Sequence, residues 1–221
     1  MANETQADGE ARGTNTIPTG LSIPVRKLGV MNRFGQVGID GVEHRLTRLD
    51  NYGATVESEL VKSGYVDDAS IGRTFADEER VGVRVRVPTA PNGYALVLFS
   101  PESANNAAAL MLGEATDDLG EVSTEMARSA LTELGGIMAS GFVDGWANAF
   151  DQRIDIVAPT AVHNTEREIV AQTVGGDDAL GLYITSRLRL PDHDVVAQVY
   201  LFPENETFVR ILDRVELEMM D

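Results

Sequence analysis

The sequence predicts an internally duplicated α+β protein, in which one six-stranded, mainly antiparallel sheet carries two long and two shorter helices around a pseudo-twofold axis. Two glycine-containing segments resemble each other one hundred residues apart, at 33–42 and 133–142. Two strand-like segments, at 94–102 and 196–204, also resemble each other, and each ends in a Pro-Glu pair. Hydrophobic and polar residues alternate in the segments between these anchors, as in half-buried strands. Two anchors in the same order indicate a repeat.

Each copy is predicted to begin with a long helix, over 24–49 in the first copy and 124–150 in the second. Both helices carry an apolar stripe at helical spacing. The predicted core positions are Met31, Phe34, Gly38, Gly41, Val42 and Leu49 in the first helix, and Leu131, Leu134, Met138, Gly141, Phe142, Gly145 and Ala149 in the second. Gly38, Gly41 and Gly141, together with Gly135, are expected to allow close packing on the sheet or on the partner helix. Trp146 is expected in the core or at the rim of the outer face.

A strand is predicted after each long helix, followed by a loop rich in Gly, Asp and Thr and then by a β-hairpin. The first strands are predicted at 54–61 and 153–160. The hairpins pair 80–87 with 93–100 and 180–190 with 195–202, and they turn at 91–93 and 191–194.

A short helix is predicted to close each copy, over 101–112 and 203–217. Proline suits the first helical turn, and glutamate there interacts favourably with the helix dipole. Residues 1–20 are predicted to be a disordered tail. Residues 21–221 are predicted to form a single domain of two repeats, about 22–113 and 122–217.

The composition is strongly acidic, with 35 carboxylates against 18 basic residues and a net charge of −17. This charge argues against a nucleic-acid partner, since no basic surface is available to displace counterions. It favours a halophilic source with a salt-rich cytoplasm, where salt screens self-repulsion. The alternative is an acidic surface that steers a partner. The chain has no cysteine, no apolar stretch long enough for a membrane span and no secretory signal, so a cytoplasmic location is expected.

Polar residues and glycine lie on the side of each long helix opposite the apolar stripe. They are Ser129, Glu133, Gly136, Ser140 and Asp144 in the second helix, and Gly29, Arg33, Gln36, Asp40 and His44 in the first. Gly136 is expected to point outward with no packing role, although a helical glycine costs about 1 kcal/mol relative to alanine. From periodicity alone, both faces are also compatible with ordinary solvated surfaces.

The second helix carries the spacing of a known motif: Ser129, Glu133 four residues later, Gly136, and then Pro159 after twenty-two residues. In this spacing, and in the run 121–136 that enters the helix, the chain resembles the CheC, CheX and FliY phosphatases of chemotaxis. Their motif has Asp or Ser, then Glu, then Asn, then Pro, so Gly136 stands where the asparagine belongs. The resemblance covers roughly residues 22–217 and implies the duplicated CheC-like fold.

The resemblance implies that the helix docks on the phosphorylated receiver protein CheY. In the family, the Asn amide orients a water for attack on the aspartyl phosphate, the Glu holds a receiver lysine, and the Mg²⁺ belongs to the receiver. An amide suits this role because it both donates and accepts without adding charge. Gly136 lacks this group, whereas Glu133 is retained and could still dock. The candidate catalytic residues are Glu133 and Gln36, and the residues that the resemblance assigns to docking are Ser129, Gly136, Ser140, Pro159 and Arg33.

The first helix departs further from the motif, with Gly29, Arg33 and Gln36 at the motif positions and Glu59 at the proline position. Gln36 retains an amide that could orient a water. Arg33 would oppose the receiver lysine with like charge.

Three functions follow as hypotheses. The first is a CheC-type module that docks on CheY, on the receptor deamidase CheD, or on both, with weak or lost phosphatase activity. The second is an active CheY-phosphate phosphatase that uses Gln36 or a variant site, and the third is a scaffold of the FliM flagellar-switch type. No cofactor or metal is expected, since His44, His163 and His193 lack ligand spacing. Internal duplication favours a monomer.

Overall fold

A computed structural model of the chain describes residues 27–48, 55–67, 69–113, 125–174 and 181–215. The helices are α1 (Leu28–Leu46), α2 (Ile71–Thr74), α3 (Pro101–Leu112), α4 (Glu125–Ala149), α5 (Glu166–Val174) and α6 (Asn205–Arg214). The strands are β1 (Glu57–Val66), β2 (Glu79–Val87), β3 (Gly93–Phe99), β4 (Thr160–Thr165), β5 (Gly181–Leu190) and β6 (Val195–Pro203).

All six strands form one sheet in the order β1-β5-β6-β3-β2-β4, and every neighbouring pair is antiparallel. Exchanging the two repeats leaves this order unchanged, so a pseudo-twofold axis passes between β3 and β6. The first strand of each repeat pairs with the other repeat: β1 lies beside β5, and β4 lies beside β2. The predicted fold class, a duplicated α+β fold on a six-stranded antiparallel sheet, is therefore confirmed.

Helices α1 and α4 pack together on one face of this sheet, with their apolar stripes turned inward as predicted. Phe34, Val42, Met138 and Phe142 are fully buried between the helices and the strands. Trp146 is also in the core, where its indole Nε1 donates a hydrogen bond of 2.9 Å to the Phe34 carbonyl oxygen. Ala149 is only half-buried, and Leu49 lies outside the described residues.

Glycine makes the crossing of α1 and α4 possible. A Cβ on Gly41 would collide with the carbonyl oxygen of Gly141, and one on Gly145 would collide with that of Val37. Gly135 serves the sheet instead, since a Cβ there would lie 2.6 Å from Cγ2 of Val83. Any side chain at these positions would force the elements apart. The predicted role of Gly41 and Gly135 in close packing is confirmed.

The other face of the sheet carries α2 and α5, which occupy part of the predicted loops. Phe75, Ile169 and Val170 pack there against Leu96 and other buried residues of β3 and β6. The prediction of four helices is thus incomplete by two. Both extra helices are short, and α2 has only 4 residues. Such short helices show too few turns for a helical periodicity to be recognised in the sequence.

The buried Tyr200 hydroxyl donates to the Glu166 carboxylate at the start of α5. Burial first, and then the neighbouring Glu166 charge, raise the pKa of Tyr200 above its ordinary value. This hydrogen bond ties α5 to β6 beneath the second face of the sheet.

Several predicted boundaries were wrong. Strand β1 extends to Val66 rather than ending at 61, and β4 begins at Thr160, where 153–160 was predicted to be the strand. The segment 153–159 alternates like a strand, yet it is not a strand. It runs beside β2, where the Val157 amide donates a hydrogen bond of 2.9 Å to the Arg86 carbonyl oxygen. In the second copy Pro203 ends β6, and the helix begins at Asn205.

The turn at 191–194 is confirmed as a 3₁₀ turn, Pro191–His193, between β5 and β6. Among the residues that the structure describes, no helix has the length and apolar character that a bilayer crossing requires. The predicted tail, 1–20, lies outside the described residues.

Candidate functional site

A surface groove of about 870 Å³ lies between the outward side of α4 and the segment that follows this helix. One wall is the polar stripe of α4, and the other is the stretch from Ile156 to Pro159. The chain leaves α4 after Ala149 and runs back along the helix, which brings Pro159 level with Gly136. The twenty-two-residue spacing of the motif therefore corresponds to a return of the chain to the same point on the helix.

The groove brings together all the docking residues predicted in the second repeat: Ser129, Glu133, Gly136, Ser140 and Pro159. Ser129 and Glu133 are exposed, and Ser140 is half-buried. Within the part of the chain that the structure describes, the Glu133 carboxylate forms no hydrogen bond or ion pair. The carboxylate is therefore available to a donor from outside the chain.

Gly136 has a packing role, so the prediction that it points freely outward was wrong. The glycine is buried, and a Cβ at this position would lie 2.8 Å from Cγ of Pro159. Helical periodicity correctly placed Gly136 on the outer face, but it carried no information about the returning segment that covers this point. The proline ring occupies the space that a side chain at position 136 would enter first.

Two exposed apolar side chains, one that lines this groove and one on the same face of α4, were not predicted. Among the described residues, the large hydrophobic side chains classed as exposed are Tyr65, Met126 and Val157. Val157 is 47% exposed and lines the groove, and Met126 is 64% exposed on the first turn of α4. Met126 lies seven residues before Glu133, hence on the same helical face. Apolar surface beside a polar stripe is typical of a protein-binding site.

Four charged side chains line the groove: Glu125 and Glu133, and two arginines, Arg128 from α4 and Arg45 from α1. Their formal charges cancel, although the whole chain carries a net charge of −17. Arg45 belongs to the first repeat and was not predicted to lie at the second motif. The four lining side chains are therefore neutral in sum, and the carboxylate of Asp144, which pairs with Arg45, adds a negative charge beside the groove.

The outer face of the first repeat is separate from this groove. Arg33 and Gln36 are half-buried on α1 and do not line the groove, so Gln36 and Glu133 do not share a site. The Gln36 amide donates a hydrogen bond of 3.0 Å to Oδ1 of Asp40, one turn further along α1. Gly29 is exposed, and the side chain of Glu59 lies outside the described residues.

Within the described ranges, no group of three or more His, Asp or Glu side chains is arranged to hold a metal ion. His163 lies 2.6 Å from Glu79 across β4 and β2, and His44 is exposed near the end of α1. The groove is built from two carboxylates, hydroxyl groups, two arginines and apolar side chains.

Comparisons with known proteins point to one family. The model of the CheC-like family matches residues 126–163, a range that contains Glu133, Gly136 and Pro159. CheC1 of Halobacterium salinarum, named as a candidate CheY-P phosphatase, is 32% identical over 194 residues, or 87% of this chain and 98% of that protein.

Solved structures agree on the fold. Thermotoga maritima FliY superposes with a TM-score of 0.66 at 12% identity, covering 88% of this chain and 97% of that one. The CheX–CheY–BeF₃–Mg²⁺ complex from Borrelia burgdorferi contains a chain that matches with a TM-score of 0.50 at 20% identity, covering 77% of this chain and 98% of that one.

Proposed function

The chain belongs to the CheC-like family, and on that premise we propose that it acts in chemotaxis by docking on the phosphorylated receiver protein CheY. The docking site is the groove of the second repeat, and hydrolysis of the aspartyl phosphate is weak or lost. The observation that carries this proposal is the coincidence of the motif residues with the exposed Met126 and Val157 on one surface. A partner would bury these apolar side chains while Glu133 accepts a hydrogen bond from it.

The loss of hydrolysis follows from Gly136. Enzymatic phosphoryl transfer depends mainly on positioning and electrostatic stabilisation, so a water must be held in line with the phosphorus. Position 136 provides no side-chain donor or acceptor, and Pro159 lies over it. The loss of one preorganised polar group of this kind typically costs about 10²–10³ in rate.

An active phosphatase that uses Gln36 remains the alternative candidate function. One observation favours it: Gln36 keeps an amide on the outer face of α1, with Asp40 as its partner at 3.0 Å. Against it, Arg33 lies one turn before Gln36, where the family has a carboxylate, and would repel a receiver lysine. A receiver bound at α1 would also lack a carboxylate equivalent to Glu133.

We also propose that the chain docks on CheD and that it is a monomer. We propose further that it is cytoplasmic and adapted to high salt. The acidic composition and a Halobacterium relative support adaptation to high salt. Any Mg²⁺ needed for phosphoryl transfer would be held by the receiver.

The proposal is tested by following the decay of acetyl-phosphate-charged CheY from the same organism in molar KCl. We expect the wild-type chain to bind CheY and to change the decay rate less than twofold. The double variant Gly136→Asn/Pro159→Ala restores the amide and makes room for it, and should accelerate decay by about tenfold or more. The matched control is Gly136→Leu/Pro159→Ala, which has a side chain of similar size without an amide.

Rapid hydrolysis by the wild-type chain that Gln36→Ala abolishes would establish the alternative function. Absence of CheY binding, in a chain that is folded by circular dichroism, would contradict the docking proposal. Binding assays with purified CheD test the adaptor role separately.

A further inference from the structure

Arg45 extends from the first repeat into the groove of the second. It lies in the last turn of α1, yet it lines the docking groove together with Ser140 and Val157 of the other repeat. It also lines a neighbouring groove of about 830 Å³ between the ends of α1 and α4, which contains Arg48 but not Glu133. The Arg45 side chain therefore forms the boundary between two surface grooves.

The guanidinium of Arg45 is held in place by Asp144 of α4. Its Nε donates a hydrogen bond of 2.8 Å to Oδ2 of Asp144, and Nη2 donates to the same oxygen. The Arg45 side chain remains 49% exposed, and within the described ranges its Nη1 forms no hydrogen bond. Asp144 thus orients the guanidinium while leaving donors directed away from the pair, which lowers the entropic cost of a further contact.

The pair has no counterpart across the pseudo-twofold axis. With the repeats aligned at one hundred residues, Arg45 corresponds to Gly145 and Asp144 corresponds to His44. The shared packing of α1 and α4 therefore does not require it. An ion pair this exposed also contributes little to stability, because solvent screens it. Neither symmetry nor stability accounts for the position of the arginine.

The negative charge of the chain indicates a role for Arg45 in the groove. An anionic protein is repelled by most of a chain with a net charge of −17. Among the side chains that line the groove, Arg45 and Arg128 are the cations that can attract an anionic group. Asp144 lies eight residues after Gly136, about 12 Å along the helix at 1.5 Å per residue. An oriented cation therefore stands at one end of the motif surface.

We propose that Arg45 is a specificity-determining residue of the second groove, where its guanidinium contacts an anionic group on the partner. The first repeat, whose own motif has diverged, supplies this contact to the second. The inference rests on the proposed docking function and adds the residue and the charge that select the partner. The anionic group is a carboxylate or the phosphoryl group itself, and the two sources are distinguished by experiment.

The test measures the affinity for CheY from the same organism by titration, once without phosphoryl analogue and once with Mg²⁺ and beryllium fluoride. We expect Arg45→Ala to weaken binding about fivefold to tenfold and Arg45→Glu to weaken it more. Arg45→Lys should recover only part of the affinity, because lysine lacks the planar set of donors. Arg48→Ala, the matched control on the same helix end outside the docking groove, should bind as the wild type does.

If Arg45→Ala loses the same affinity for CheY with and without the analogue, the anionic group is a carboxylate on the partner. If it loses affinity only with the analogue, the anionic group is the phosphoryl group. If Arg45→Ala and Arg45→Glu both bind CheY as tightly as the unmodified chain does, the inference is overturned. The docking proposal still stands in that case, because the unmodified chain binds CheY. Absence of wild-type binding overturns both. Thermal unfolding of each variant separates a loss of contact from a loss of fold, and a reduced affinity that follows the melting temperature across Arg45→Ala and Asp144→Asn also overturns the inference.

Discussion

The inner faces of α1 and α4 have remained alike, whereas their outer faces have diverged. Inside, each helix presents a glycine to the backbone of the other, Gly41 against Gly141, beside buried aromatic and aliphatic side chains. Outside, Glu133 of one helix corresponds to Arg33 of the other, and Gly136 corresponds to Gln36. Close packing constrains the sequence of both copies, because each helix contributes a glycine to the crossing. Binding a partner constrains only the copy that binds.

The largest expected effect tests the shared inner face. We expect Gly41→Ala to destabilise the protein by about 1–3 kcal/mol, because the new Cβ collides with a backbone carbonyl that cannot rotate away. Chemical denaturation measures this loss. The matched control is Gly72→Ala in α2, where the nearest atom, Cδ of Arg167, is 3.7 Å from the new Cβ. Equal stability of the two variants would mean that the glycine crossing is not a constraint.

A smaller effect tests the divergent outer faces. We expect Glu133→Lys to weaken CheY binding about tenfold, or about 1.4 kcal/mol, because it places a cation where a hydrogen-bond acceptor is needed. Arg33→Glu, the charge reversal at the equivalent position of α1, should leave affinity within twofold of the wild type. Titration calorimetry measures both. The reverse ranking would assign docking to the first repeat.

The smallest effect concerns the Pro-Glu pairs, which have different roles in the two repeats. Ser100 caps α3, and its hydroxyl accepts a hydrogen bond of 3.1 Å from the Ser103 amide, whereas Glu204 caps α6 by accepting from the Glu206 and Thr207 amides. Each cap is expected to stabilise its helix by about 1 kcal/mol, so Ser100→Ala and Glu204→Ala should cost similar amounts at pH 7.

The stability that the two caps contribute should depend differently on pH. Hydrogen bonds from Thr207 lower the pKa of Glu204 below its ordinary value of 4.5. A carboxyl group whose pKa is lower in the folded state contributes stability above its unfolded pKa and loses that contribution as pH falls through the folded value. The cost of Glu204→Ala should therefore shrink below about pH 4.5, and that of Ser100→Ala should not. Urea titrations at several pH values measure both costs, and parallel curves would contradict this role of Glu204.

The sequence was informative where one element determines its own pattern. The apolar stripe of α4 was readable because helical geometry fixes it locally. The spacing from Glu133 to Pro159 was recognised through its resemblance to the CheC-like motif. The positions of the hairpins were readable from alternation and turn residues. Together these features specified the fold class and the composition of one groove wall.

Features that depend on distant segments were not readable. The role of Gly136 depends on Pro159 folding over it, and the place of Arg45 in the groove depends on how α1 crosses α4. The segment 153–159 alternates as a strand does, but the paired strand is the more polar β4, an edge strand whose register is set by β2. Tertiary pairing overrode the local pattern at each of these places.

The exchange of first strands between the repeats has a consequence for folding. Strand β1 finds its neighbour more than one hundred residues later, with Glu57 opposite Arg189, and β4 closes the opposite edge on the first repeat. Neither half can complete its own sheet, so neither half is an independent folding unit, and we expect the chain to unfold in a single cooperative transition. Pairings of such high contact order must close long loops before they add stability, which favours slow folding. A chain cut between its halves would recover its structure only when the two fragments meet.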